Sequence, residues 1–126
     1  MFPTRIHLSK KTWDKLQYLQ IKIRLTPNVT ARIAIALALK DTRTASINEN
    51  KPEQTHVINR DVLFGEYEKA YEALIRQFCD EQGVESDIQD VIRSLIDSGL
   101  HKLGHLKRPS DLKSIFQQVQ MMSPRL

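Results

Sequence analysis

Cysteine occurs once in this chain, at Cys79. A lone cysteine excludes an intramolecular disulfide framework and fits a reducing compartment, so a cytoplasmic protein is expected. No apolar run approaches the roughly 20 residues needed to span a bilayer, which argues against a membrane helix. The opening Met1-Phe2-Pro3-Thr4-Arg5 lacks the apolar stretch of a secretory leader. Glycine is equally sparse, with four residues in 126, and they form no phosphate-cradling loop, which argues against nucleotide binding. What remains is ordinary for one soluble domain: 40% apolar and 27% charged residues. At this length a single compact domain over 1–126 is expected, one that gains from oligomerisation because a small chain buries a modest share of its surface.

The formal net charge of +4 conceals a strong asymmetry. Residues 1–43 hold nine basic side chains against Asp14 and Asp41 alone, whereas the remainder holds ten basic and thirteen acidic ones. A basic end on an otherwise near-neutral domain is the electrostatic footprint of a nucleic-acid partner.

Thr4-Arg5-Ile6-His7-Leu8-Ser9 alternates polar and apolar residues, which predicts a strand with Ile6 and Leu8 on one face and Arg5 and His7 on the other. Ser9 is placed to cap a helix from Lys10, in which Thr12, Leu16, Leu19 and Ile23 recur at helical spacing. Lys11, Lys15 and Lys22 share another face. Thr26 and Pro27 mark the start of a second helix, from Pro27 to about Lys40. That helix is apolar nearly all round, so burial on several sides and a subunit interface are expected.

From Thr42 to Gln54 the chain turns polar, and residues 44–56 are expected to be a mobile loop. A helical part follows over 57–120. His56–Phe64 reads as a short strand, or as a strand that already turns helical at Val62-Leu63-Phe64, before Gly65. A helix from about Glu66 to Gln82 carries Tyr67, Ala70, Tyr71, Leu74, Ile75 and Phe78 on one face and stops at Gly83. The next helix is capped by Ser86 and repeats Ile88, Val91, Ile92, Leu95, Ile96, Leu100 and Leu103. A short last helix starts at Pro109-Ser110-Asp111. The class is mainly α: a ribbon-helix-helix-like N-terminal part, two long helices and a short C-terminal one.

Strand, helix, Thr-Pro turn and apolar helix is the order of elements in ribbon-helix-helix proteins, whose paired strands enter the DNA major groove. A single strand cannot satisfy its own backbone, so it must pair with another chain or with the segment near 57–63. On this reading Arg5 and His7 face outward, and the second helix offers free N–H groups near Thr26 and Asn28 to a phosphate. A transcriptional repressor of that type is the alternative reading, although its recognition strand would be chemically thin. His101 and His105 stand four apart without a third ligand, and Cys79 beside Phe78 has no neighbouring base, so neither a metal nor a nucleophile is expected.

Pro3-Thr4-Arg5-Ile6-His7-Leu8-Ser9-Lys10, then Leu25-Thr26-Pro27-Asn28 with Ala31-Arg32-Ile33-Ala34, resemble the DndE family of DNA phosphorothioation proteins. Ile58–Tyr67 resembles that family's second block, and Ser98–Leu103 with Arg108–Leu112 its C-terminal one. The ordered set covers nearly the whole chain. The resemblance implies a ribbon-helix-helix type of fold assembling into a homotetramer, and a preference for nicked double-stranded DNA held by surface lysines. By position these are Lys10, Lys11, Lys15 and Lys22. It also implies partners, a sulfur-activating iron–sulfur protein and an ATPase-like protein, that together replace a non-bridging phosphate oxygen with sulfur. No catalytic residue and no cofactor carry over, so the chain is expected not to be an enzyme. In one place it departs from the family: Ile21-Lys22-Ile23-Arg24 stands where relatives carry glycines. If close approach at those glycines builds the tetramer, Ile21 and Arg24 oppose it; Arg24 otherwise adds a phosphate contact.

Overall fold

In a computed structural model that describes residues 2–41 and 46–104, the N-terminal alternation becomes β1 (Arg5–Ser9), with Ile6 and Leu8 fully buried and Arg5 and His7 exposed. Helices α1 (Lys10–Ile23) and α2 (Pro27–Lys40) follow, then β2 (Thr55–Asn59), a short α3 (Arg60–Phe64), a 3-10 turn (Gly65–Tyr67), α4 (Glu68–Gln82) and α5 (Ile88–Leu103). The expected final helix with Leu112, Ile115, Phe116 and Val119 lies outside the described residues, as does His105.

The partner of β1 is β2 of the same chain. The two pair antiparallel, with Arg5 opposite Asn59 and Ser9 opposite Thr55. Of the two sequence options the intramolecular one is realised, and β2 (Thr55–Asn59) takes in only His56 to Asn59 of the 56–64 segment. Arg60–Phe64 is already helical, in keeping with the helical alternative for Val62-Leu63-Phe64. Backbone bonds from Lys10 N to Gln54 O and from Arg60 N to Thr4 O close the two ends of the pair. The opposite edge of β1 is also occupied. The Gln89 side-chain amide, carried by α5, accepts from His7 N and donates to Arg5 O. With both edges taken, β1 has no row of free backbone groups to offer a second chain.

The expectation that α2 needs a subunit interface for its apolar surface is corrected. Thr30, Ala31 and every residue from Ile33 to Ala38 are buried within the single chain. The covering surface comes from α5, whose contact with α2 is the most extensive among the described residues, and from α1, α3 and α4. Close approach of α2 and α5 is made by Gly99, where a Cβ would lie 1.8 Å from the Ala34 carbonyl oxygen. Ile92, Leu95, Ile96 and Leu103 of α5 are fully buried, as its periodicity requires.

The polar connection before β2 is also more constrained than expected. Asn48 N donates to Ser94 Oγ at 2.9 Å, and Arg93 donates to the carbonyls of Asn48 and Asn50 at 2.8 and 3.1 Å. Arg93 and Asp90 are themselves buried and joined at 2.9 Å, and Lys51 reaches Asp90 from the connection. Burial drives the Asp90 pKa upward, but hydrogen bonds and charge from Lys51 and Arg93 outweigh it, so the carboxyl titrates below its ordinary range. The cap of α5 is Asp87, whose carboxylate accepts from Gln89 N at 2.9 Å; Ser86, the expected cap, donates to Glu49 instead. Asp87 is the residue next to the first helical one, where a cap must stand. Gly83 ends α4 in the left-handed conformation, with its N–H on Cys79 O, as expected.

Candidate nucleic-acid interface

Two anchors fix the rotation of α1. Ser9 caps it, accepting from Thr12 N at 3.1 Å. On the inner side Thr12, Leu16 and Leu19 are buried. Spacings of four and seven then put Lys11, Lys15 and Lys22 within an arc of about 40° at 100° per residue, and all three are exposed.

Two carboxylates adjoin this row. Lys10 pairs with Asp14 at 3.3 Å, and both are well exposed, so the pair is weak and Lys10 keeps only part of its field. Asp97, on α5, accepts from the Thr12 hydroxyl at 2.5 Å, and that hydroxyl lies 2.8 Å from Ser9 Oγ. Burial against α1 raises the Asp97 pKa, while the Thr12 hydrogen bond and the charges of Arg93, Lys15 and Lys11 act against the rise. The rear half of the chain thus sends one carboxylate to the edge of the lysine row.

The other sequence-predicted site residues are spread over neighbouring elements. Arg5 and His7 stand on the outer face of the two-stranded sheet. Arg24 caps α1 in the left-handed region, at φ 59°, with its N–H on Gln20 O. A residue in this position explains why glycines suit the segment: the turn demands a conformation that costs a side-chain-bearing residue about 1–2 kcal/mol. Thr26 precedes α2 without a side-chain cap, its carbonyl accepting from Thr30 N. Asn28 is half-buried, and its amide donates to Val62 O at 3.2 Å, tying α2 to α3 at the surface.

Sequence reasoning passed over Tyr18 and met Ile21 only as an obstacle to assembly; the two are 62% and 82% exposed on α1. Tyr18 lies three residues after Lys15 and four before Lys22, a spacing readable from the sequence. It also passed over Trp13, whose ring stacks on His56 of β2 at 3.7 Å between centroids. Cys79 packs at the core's edge, where burial raises its thiol pKa, Asp80 adds to the rise and Arg76 opposes it. Among the described residues no group of three or more His, Cys, Asp or Glu side chains could hold a metal ion. Nor is any helix among them long and apolar enough to cross a membrane.

Fold and surface together define a small, mainly helical protein with an exposed lysine row beside an internally closed β-ribbon. Residues 5–111 match the family model of DndE, the DNA sulphur modification protein. The chain belongs to the DndE family, whose function lies in DNA phosphorothioation. Its fold is similar to the crystal structure of DndE from Escherichia coli B7A, involved in DNA phosphorothioation modification. There the TM-score is 0.68 at 24% identity, covering 82% of this chain and 98% of that one. A crystal structure of a DndE mutant with two glycines changed to lysine is similar at TM-score 0.59 and 25% identity, covering 80% and 99%. Comparison with curated proteins finds no match.

Proposed function

We propose that this chain is a non-catalytic, DNA-binding accessory subunit of a bacterial DNA phosphorothioation system, which holds double-stranded, preferentially nicked, DNA for the enzymes that modify the backbone. The observation that carries this reading is the exposed row of Lys11, Lys15 and Lys22 on one face of α1. From first to last the row spans on the order of 16 Å at 1.5 Å per residue. That is the rise of about five nucleotides along one strand, so each ammonium can meet a separate phosphate. Arg5, His7, Lys10, Arg24 and Thr26 extend the contact, and the role requires no cofactor. The subunit acts in the cytoplasm as a homotetramer beside the other members of the modification complex.

The β1-α1-α2 order is that of a ribbon-helix-helix protein, but occupied edges on β1 favour contact through the helix over reading by a ribbon. Binding is therefore to the phosphate backbone and largely indifferent to sequence.

The test is fluorescence anisotropy of a labelled duplex with the Lys11→Glu/Lys15→Glu/Lys22→Glu variant, with circular dichroism to establish that it folds. Binding is expected to be lost. In the wild type it should weaken steeply with salt, as counterion release demands. A folded triple variant that binds as well as the wild type removes the lysine row from the interface.

A further inference from the structure

The lysine row has an aromatic side chain set within it. Tyr18 widens the arc of Lys11, Lys15 and Lys22 only to about 60°, with a lysine one helical turn away on either side. It is 62% exposed, and Ile21, on the adjoining turn, is 82% exposed. Of the other large apolar residues of α1, Leu16 and Leu19 are turned into the core and Trp13 and Ile23 pack half-buried against it. Tyr18 and Ile21 are therefore a short apolar strip facing outward along the cationic row.

We propose that Tyr18 stacks on a nucleobase freed from its own stack, with Ile21 against the adjoining sugar, while the flanking lysines hold the phosphates on either side. This inference rests on the DNA-binding reading above and adds to it the residue that distinguishes interrupted from continuous duplex. Charge decides the occupant. A second copy of this chain placing the same face against this one would bring Lys11, Lys15 and Lys22 against their counterparts, with Asp14, already paired with Lys10, the one acid of α1 beside them. That is a largely like-charge juxtaposition, whereas a polyanion with an aromatic face complements both parts of the strip. Chemistry decides the conformation of that polyanion. Continuous B-form duplex buries its base faces and offers base edges, sugars and phosphates, so a phenol ring finds a π-face only where the stack is broken. Such stacking tolerates any base, consistent with a strand offering little sequence reading.

The test compares a continuous 30-mer duplex with the same duplex lacking one nucleotide, 2-aminopurine standing opposite the gap, for the wild type, Tyr18→Ala and Tyr18→Phe. The wild type should prefer the gapped duplex and quench the 2-aminopurine on binding. Tyr18→Ala should lose roughly tenfold in affinity for the gapped duplex, from the usual worth of one base stack, with little change for the continuous one and no quenching. Tyr18→Phe, which keeps the ring, should behave as the wild type. Equal binding of gapped duplex by Tyr18→Ala and the wild type overturns the stacking role; loss of binding by the lysine variant alongside it leaves the DNA-binding reading standing. A fall in oligomeric mass by light scattering for Tyr18→Ala overturns the stacking role in favour of a subunit contact. Full duplex binding by the folded triple lysine variant overturns both readings together.

Discussion

Gly99 is the position at which the fold is most sensitive to one added methyl group. A Cβ built there lies 1.8 Å from the Ala34 carbonyl oxygen, 2.3 Å from its carbon and 2.4 Å from its Cα. All three contacts are with backbone, so no rotamer change relieves them; α2 and α5 must move apart by more than 1 Å, the difference from an ordinary contact. Overpacking of a core costs typically 1–3 kcal/mol and more where the backbone must shift. Both helices here are sandwiched by other elements, which puts the cost near or above the upper end. Alanine's better helix propensity returns about 1 kcal/mol. The Gly99→Ala variant is therefore expected to lose roughly 2–4 kcal/mol, lowering Tm by on the order of 10 °C. Urea and thermal unfolding followed by circular dichroism measure both quantities. Ala34→Gly should not rescue it, because the clash is with the peptide and not with the Ala34 methyl. Gly104→Ala is the control: φ is −63° and the nearest atoms to its Cβ are at 3.4 Å, so no loss is expected. A Gly99→Ala protein as stable as the wild type would refute the close crossing of α2 and α5.

Three further outcomes follow from other parts of the molecule. Asp90→Asn, by leaving buried Arg93 without its carboxylate, should cost about 2–3 kcal/mol in urea unfolding. Because the folded-state pKa of Asp90 is lowered, its stabilisation is complete above the ordinary carboxylate range and is lost as pH falls through the lowered value; the variant should show a correspondingly shallower acid loss of stability. Arg24→Gly relieves the left-handed cap at φ 59° and should raise stability by about 0.5–1 kcal/mol, glycine's greater freedom in the unfolded chain offsetting part of the gain. A parallel drop in duplex affinity would identify Arg24 as a phosphate contact. Asp97→Asn removes the carboxylate beside Lys11 and Lys15 and should tighten duplex binding by about two- to fivefold at low salt, read by anisotropy. The raised pKa of Asp97 means that its charge opposes folding at neutral pH, a cost that disappears as pH falls through that value, so the same variant should not be less stable by more than the altered Thr12 bond.

Much of this fold was legible because local patterns carried it. The period-two alternation of Arg5–Ser9, the Ser9 cap, Pro27 as the first residue of α2 and the left-handed stop at Gly83 all depend on residues within one turn of each other. Three misjudged features depend on partners far along the chain. The apolarity of α2 implied burial but could not say by what, and α5, some sixty residues later, supplies it. The 46–51 connection looked mobile because its own composition is polar, and the residues that bind it, Arg93 and Asp90, stand about forty positions later on α5. Gln89 gave no hint that it would close the edge of β1, since a glutamine near a helix start carries no sequence signature for that task. The lysine row was read from spacing alone, whereas the place of Asp97 beside it required the packing of α5 on α1.

The treatment of the edges of β1 also bears on how such a protein meets DNA. In a ribbon reader the strand's backbone is satisfied by a second copy, so recognition surface and dimer form in one step. Here the strand takes its partners from its own chain, β2 on one side and the Gln89 amide on the other, so the sheet is complete in one subunit. Its outward side chains, Arg5 and His7 opposite Asn59 and Val57, offer few long polar groups for base edges. What the chain presents with regular spacing is instead the cationic side of α1, suited to phosphates and indifferent to base identity. Assembly then has a different task. Since α2 is already covered within the chain, association is not needed to bury its apolar surface; in the proposed homotetramer its contribution to the proposed DNA binding is to multiply lysine rows along one duplex. Affinity from such multiplied contacts grows through effective concentration rather than through new chemistry. It should therefore fall disproportionately, together with its salt dependence, in any variant that dissociates the subunits but leaves α1 intact.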